Sequence, residues 1–475
     1  MSQRPVRIDG REVTTAEGAV IRAPFDGREL ATVAQCSAEH AERAVAAARR
    51  ALAEEPLPGW RRAEILDRAA ELLVTEEVAE ELARLVALEA AKPIGAARVE
   101  VARAASTFRF AATACRTLVG EVLPLDASQA GEGRLGFTLR VPVGVVGAIT
   151  PFNFPVNLIA HKLAPAIAAG CPVVLKPAGQ TPLSGLALAE LLLDRCGLPH
   201  GWLHVVTGEG AAVGRALVEH DDVAMITFTG SPDVGWGIRA AAPRKRVSLE
   251  LGNNAPVIIE PDGDWESAAE RIAVAGNAHA GQSCISVQRV LVHRDVAEVF
   301  VDRLRAAVEA LVVGAPLDEA TQVSALIDVA SRDRVAAWVA EAVSAGASLV
   351  AGGDIDDQGV LRPTVLTDVT PDMQVCRDEV FGPVLTVQTY DTFDDAVALA
   401  NDTRYGLHAG VFTRDLATAR QAVEGLDFGG VIINDVPTWR ADQMPYGGLR
   451  DSGNTREGPA YAVREMTELR SAVLA

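Results

Sequence analysis

Two periodicities divide the chain. From Ala38 to Val119 apolar residues recur at helical spacing: Ser37 stands where it can cap a helix beginning AEHAERAVAAARRALAE, and Leu66, Ala70 and Leu73 share a face of the next. Near Gly133 the rule changes, and short β-branched runs alternate with Ala/Leu-rich helical stretches. Val145–Thr150, Pro172–Lys176, Leu203–Val206, Met225–Thr229 and Val247–Leu251 start roughly 22 to 31 residues apart, a spacing suited to βαβ units. This predicts a parallel sheet covered by helices.

A second series of β and α signals follows Asn254: VIIE (257–260), RVLVH (289–293), a helix from about 296 to 313, then SLVAGG, PTVLT, PVLTVQTY, AGVFT and GGVIIND. A second α/β domain of roughly 180 residues fits them. The last residues, Glu465–Ala475, read as a strand with no obvious local partner, the kind of arm that joins a neighbouring subunit's sheet.

Composition narrows the class. A chain of 475 residues suggests two or three domains and buries a large core without disulfides or metals. The net charge of −19 argues against a nucleic-acid or anionic-membrane partner. Six cysteines, at positions 36, 115, 171, 196, 284 and 376, form no CxxC pair, so neither a disulfide framework nor a metal site is expected. The first residues lack the apolar stretch of a secretory signal, and the longest apolar run, Ala164–Leu175, is broken by Gly170 and Pro172. A soluble, cytoplasmic protein is the expectation.

Two strand-to-helix junctions are rich in glycine: Gly208-Glu-Gly210-Ala-Ala-Val-Gly214, one residue too long for the dinucleotide fingerprint, and Gly230-Ser231-Pro232-Asp233-Val234-Gly235, where Ser231 can N-cap and Pro232 takes the first helical position. Free N–H groups at a helix start suit a pyrophosphate. Either junction alone reads better as an ordinary turn; two in succession point to a dinucleotide site.

Four further segments carry polar residues for which packing has little use. Cys284 stands among small residues in Gly281-Gln282-Ser283-Cys284-Ile285, Glu250 ends the strand-like RVSLE before Leu251-Gly252-Asn253-Asn254, Asn153 sits in Thr150-Pro151-Phe152-Asn153-Phe154-Pro155, and Glu379 precedes Phe381 in EVFGPV. Each has an ordinary alternative: an inert buried thiol, a solvated carboxylate, an Asx-turn, a strand entry. Together they suit acyl chemistry, with a thiol nucleophile, a carboxylate base and an amide able to donate to an oxyanion.

TPFNFP, KPAGQTPLS, FTGSPDVG, LELGNNAP, GQSC and EVFGPV, in this order and at these separations, resemble the NAD(P)-dependent aldehyde dehydrogenase superfamily from roughly Arg22 to the C-terminus. The resemblance implies an α/β fold in three parts: a Rossmann-like cofactor domain (1–120 and 141–252), a catalytic α/β domain (253–434), and a small β oligomerisation arm (121–140 and 459–475), with 435–458 as a substrate-side loop. It also implies that Cys284 is the nucleophile, Glu250 the general base, and Asn153 with the Cys284 backbone N–H the oxyanion hole. Cofactor contacts would come from Thr150, Lys176, Gly179, Gly210, Gly214, Phe228, Thr229, Gly230, Ser231, Val234, Leu251, Glu379 and Phe381, with NADP or NAD as cofactor and a homodimer or homotetramer as assembly.

Three positions depart from the family pattern. Asn253 stands where a second glycine is usual, tolerable even at positive φ because Asn enters the left-handed region readily. Gly179 replaces the common Glu of KPxE and leaves room for a 2′-phosphate beside Lys176, and Thr455 replaces a glycine in SGNTREG. Arg109 in Thr-Phe-Arg-Phe and Arg440 in the loop after Asn434 are candidate substrate contacts, implying a small polar or anionic aldehyde; surface or intersubunit ion pairs are the alternative for both. A CoA-acylating relative, or a homologue that binds without turnover, are the competing readings; the presence of Glu250 favours water as the acyl acceptor.

Overall fold

The computed structural model describes residues 3–475. The chain opens with two short antiparallel hairpins, Val6–Ile8 with Arg11–Val13 and Gly18–Arg22 with Glu29–Ala34, too brief to show a periodicity in the sequence. Four helices follow, Ala38–Glu54, Gly59–Leu73, Glu76–Ala90 and Ile94–Arg116. Ser37 begins the first with a reciprocal contact in which its N–H donates to His40 Nδ1 at 3.1 Å. The long fourth helix buries a row of small residues, Ala97, Ala104, Ala105, Ala111 and Ala112, which lets its neighbours approach closely.

The first sheet has five strands in the order Arg246–Glu250, Val223–Thr229, Val145–Ile149, Val173–Lys176, Leu203–Val205, with every pairing parallel. Their C-terminal ends therefore share one edge, where ligands bind in open α/β sheets. Helix Asn157–Ala169, buried along its entire length, follows strand Val145–Ile149 and carries three polar side chains, Asn157, His161 and Lys162, into the interior.

The second sheet has seven strands in the order Ser348–Ala351, Thr364–Thr367, Val384–Tyr390, Arg289–His293, Pro256–Ile259, His408–Phe412, Gly430–Ile433. Only its first pair is antiparallel. The helix expected from about 296 to 313 starts with one 3-10 turn and runs Ala297–Glu309. The expectation for the C-terminal run needs correction: Thr467–Leu474 has a local partner, pairing antiparallel with Leu135–Pro142 over eight positions beside Val122–Leu123. Strand Thr467–Leu474 still ends that small sheet with a free edge, and Val122, Leu135, Leu469 and Val473 on the arm are exposed. Among the described residues no helix is long and apolar enough to cross a membrane.

Candidate active site

The parallel strands deliver the site. Val145–Ile149 runs into the loop holding Asn153, Val223–Thr229 ends at Gly230, and Arg246–Glu250 ends on Glu250 itself. Cys284 arrives from the loop before strand Arg289–His293 of the second sheet. Asn153, Glu250, Cys284, Glu379 and Phe381 line one cavity of about 290 Å³.

Three consecutive left-handed residues bend the chain ahead of Cys284: His279 (φ 51°), Ala280 (φ 54°) and Gly281 (φ 71°). A Cβ on Gly281 would lie 2.1 Å from the Gly382 carbonyl oxygen, so only glycine lets these two loops meet. Cys284 is half-buried at the cavity floor, whereas the other five cysteines are buried and, like it, unbonded. Its Sγ lies 2.9 Å from Tyr446 Oη. Burial pushes the thiol well above its usual range, nearby Glu250 adds to this, and the Tyr446 hydroxyl opposes it.

Asn153 donates one amide hydrogen to the Gln282 carbonyl at 2.9 Å, which ties its loop to the cysteine loop and leaves the second hydrogen of that amide for the cavity. No acceptor faces the Cys284 backbone N–H. The Asn153 loop is held from behind by Lys92, whose Nζ donates to the Asn153 carbonyl at 2.5 Å, pairs with Glu100, and covers the Phe154 ring.

Both Glu250 carboxylate oxygens are buried without a hydrogen-bond partner. Burial, then the like charge of Glu457, pushes its pKa up to about 8, while Arg440 and Lys162 pull it back. Such a carboxylate is poised to take a proton near neutral pH. Behind it lies a charged cluster invisible in the sequence: Lys162 Nζ is 3.6 Å from Glu457 Oε1, Arg440 Nη2 donates to Glu457 and to His161 Nε2, both at 3.2 Å, and Arg103 donates to Asp442 at 2.9 Å, with His161 3.3 Å from the same oxygen.

A second cavity of about 700 Å³ lies along the sheet edge, lined by Lys176, Gly210, Gly214, Phe228 and Val234 among others. Both glycine-rich junctions reach it or its neighbour: Gly230, Ser231 and Leu251 line the smaller cavity with Thr229. Ser231 occupies the N-cap of helix Pro232–Ala241, but its side chain makes no capping bond. Gly179 lies apart, in a recess of about 160 Å³ with Glu209, and nothing stands within 4 Å of where its Cβ would be. Thr150 and Thr229 each bury a hydroxyl with no partner. Such unpaired groups, a basic side chain and open backbone at a strand edge fit a dinucleotide.

Glu379 lines the smaller cavity from the loop before strand Val384–Tyr390 of the second sheet. It accepts from the Asn253 N–H at 3.0 Å, and burial pushes its pKa up to about 7. Asn253 does not have positive φ; its side chain donates to the His408 carbonyl at 3.1 Å and is buried, so it braces the turn rather than bending it. That removes the one hint of a homologue without turnover.

The two arginines separate. Arg109 is exposed on helix Ile94–Arg116, while Thr107 is buried against His161 at 3.3 Å. Two residues at about 100° each place Arg109 on the opposite face. Arg109 is therefore corrected to a surface position, and Arg103, one turn before Thr107, holds the inward place. Arg440 is neither at the surface nor free for an intersubunit pair: it is buried over the Tyr446 ring, 3.7 Å from its centroid. Helix periodicity could have selected Arg103 over Arg109. Nothing local marks Lys162, Tyr446 or Glu457.

A profile described as the aldehyde dehydrogenase family matches residues 13–472. The chain is 46% identical to a 3-sulfolactaldehyde dehydrogenase of Priestia aryabhattai, covering 100% of this chain and 98% of the relative. Among solved structures it resembles the glyceraldehyde-3-phosphate dehydrogenase GapN of Methanocaldococcus jannaschii complexed with NADP (TM-score 0.92, 38% identity, 97% of this chain and 100% of that one). It also resembles an aldehyde dehydrogenase of Bacillus cereus in its NAD+ complex (TM-score 0.95, 34% identity, 100% and 96%).

Proposed function

Because the chain belongs to the aldehyde dehydrogenase family, and so oxidises aldehydes with NAD or NADP, we propose that Cys284, Glu250 and Asn153 carry the chemistry and that the substrate is a small aldehyde with a polar or anionic group. The observation that carries the first part is the shared cavity: the one half-exposed thiol lies with an unpaired carboxylate and a side-chain amide.

Cys284 Sγ adds to the aldehyde carbon, and the oxygen takes up negative charge beside the Asn153 amide and the Cys284 backbone N–H. Lys176, Thr229, Ser231 and Glu379 would hold a nicotinamide dinucleotide, which supplies the hydride acceptor when bound. Cys284 then bears the acyl group as a thioester. Glu250 takes a proton from water as it attacks, the C–S bond breaks, and the acid leaves. An aldehyde panel with NAD+ and NADP+, with and without CoA, tests the reading: reduction without CoA that vanishes in Cys284→Ala is expected, and a requirement for CoA would overturn it.

The substrate class rests on Arg103 and Arg440, whose guanidinium Nε–H groups are both buried without an acceptor. An anionic substituent arriving there meets two charge-assisted donors. The sulfonated substrate named for the Priestia relative fits that chemistry. The apolar arm with its free strand edge supports a homodimer or homotetramer, and the six unbonded thiols support a cytoplasmic location.

A further inference from the structure

Tyr446 is joined to the candidate nucleophile by more than proximity. Its backbone pairs in both directions with Glu457, N–H to O at 3.0 Å and O to N–H at 2.6 Å, which fixes the residue in the strand-like stretch that also holds Glu457. Its ring is 1% exposed, lies under the Arg440 guanidinium at 3.7 Å, and meets the His408 ring edge-on at 4.9 Å. With the ring clamped on both sides, the hydroxyl is held where Glu250 and Cys284 are the groups it can reach, and Cys284 Sγ lies 2.9 Å from it.

We propose that Tyr446 is a catalytic residue that donates its O–H to the Cys284 thiolate and thereby sets how much of the thiol is ionised; this rests on the assignment of Cys284 as nucleophile. The groups around the pair explain the need. Glu250 and Glu379 oppose a negative sulfur, Arg440 favours it, His408 sits behind the tyrosine ring as an uncharged neighbour, and the Lys162–Glu457 pair lies beyond Arg440. Burial raises the Tyr446 hydroxyl well above its ordinary range, so it remains protonated and keeps a hydrogen to give. A cation over a phenol ring draws electron density from it and strengthens the O–H as a donor.

The steps balance simply. When the S–H bond breaks, its electron pair stays on Sγ, the proton passes to water, and Tyr446 turns its hydrogen toward sulfur. That pair then forms the S–C bond as the carbonyl π pair moves to oxygen, and the Tyr446 hydrogen is released from sulfur.

Alkylation of the free enzyme by iodoacetamide reads this directly, because the thiolate displaces iodide and turnover is not involved. The rate at Cys284 is followed against pH, with the modified peptide identified by mass spectrometry and Cys284→Ala as the blank. In Tyr446→Phe the midpoint should rise by about one pH unit, so that near neutral pH the modification slows about tenfold. The kcat/KM for aldehyde should fall with it and recover at high pH. Should Tyr446→Phe fail to fold, replacement of the four tyrosines by 3-fluorotyrosine, a more acidic phenol, should move the midpoint down. A midpoint that stays in place in either protein, or a loss of rate equal at every pH, overturns the proposal. Aldehyde oxidation surviving in Cys284→Ala would instead remove the nucleophile assignment and leave the alkylation result standing.

Discussion

Lys92 and Asn153 meet through the backbone: Lys92 Nζ donates to the Asn153 carbonyl at 2.5 Å from inside the protein, where Lys92 is 1% exposed. Glu100, its ion-pair partner, also accepts from the Val156 and Asn157 N–H groups at 2.8 and 3.1 Å. One buried pair thus holds the loop that presents the Asn153 amide at Asn153 itself and at its entry into helix Asn157–Ala169. Replacing one member leaves the other charged and unpaired, which costs about 3–5 kcal/mol. Lys92→Met should lower the melting temperature sharply, and Lys92→Met with Glu100→Gln should recover part of that loss. Equal melting temperatures for Lys92→Met and the parent would show the pair to be dispensable.

Glu250 leads to a pH dependence. Its pKa of about 8 lies above the usual 4.5, so the native state keeps a proton that the unfolded chain releases. The stability it contributes is present in full below the unfolded value and is lost as pH rises to about 8. The chemistry runs the other way, because only the deprotonated carboxylate accepts a proton from water. Thioester hydrolysis should rise with pH, reach half its limiting rate near 8 and level off above it. In Glu250→Gln, rapid mixing should show a burst of reduced cofactor and then a slow phase with no such rise. Slowed hydride transfer with unchanged hydrolysis would contradict the assignment.

The strands of both sheets were legible because β-branched runs recur between helical stretches at βαβ spacing, and tertiary structure moved their ends by only a residue or two. The hairpins before Gln35 were not legible, since segments such as REV and GAVIR lack the continuous β-branched runs that mark the equally short strands of the two sheets. Among the candidate residues, those at strand ends could be picked out because a polar group there stands against the local pattern. Lys162 could not: it lies in a helix buried on all sides, whose composition reads as core, and its partner Glu457 comes from far along the chain. Asn253 would be tolerated at a positive φ, which the position does not have, and its work is done by its side chain instead.

Gly252 and Asn253 therefore predict different outcomes. A Cβ on Gly252 would lie 2.1 Å from Glu379 Oε2, so Gly252→Ala must displace the carboxylate proposed to hold the cofactor. Titration with NAD+ or NADP+ should show weakened binding with little change in melting temperature. Asn253→Ala leaves the His408 carbonyl without its donor and should cost about 1–3 kcal/mol of stability. Weak cofactor binding in Asn253→Ala alone would reverse these roles.

Gly179 concerns cofactor choice. A second carboxylate there, beside Glu209 of the same recess, would repel a 2′-phosphate, whereas the open space at Gly179 leaves room for one. NADP+ should be used at least as well as NAD+, and Gly179→Glu should shift the ratio of kcat/KM values toward NAD+. A parent enzyme that strongly prefers NAD+ would defeat the argument.

Arg103 and Arg109 stand six residues apart on one helix, about 120° apart around its axis, one partly buried and one exposed, which makes them a matched test of the anion site. Arg103 reaches Asp442 and keeps a buried Nε–H unpaired, whereas Arg109 is exposed. Loss of one charge-assisted bond to an anionic substrate costs about 1.5–3 kcal/mol, or roughly 10- to 150-fold in kcat/KM. Arg103→Gln should therefore lose about that factor toward succinate semialdehyde while hexanal changes little, and Arg109→Ala should leave both unchanged. Lactaldehyde, uncharged, should fall between them. If hexanal is the best substrate of the parent, or if Arg103→Gln treats all three aldehydes alike, the buried guanidinium groups serve only the Glu457–Asp442 cluster, and an apolar tunnel replaces the anion site.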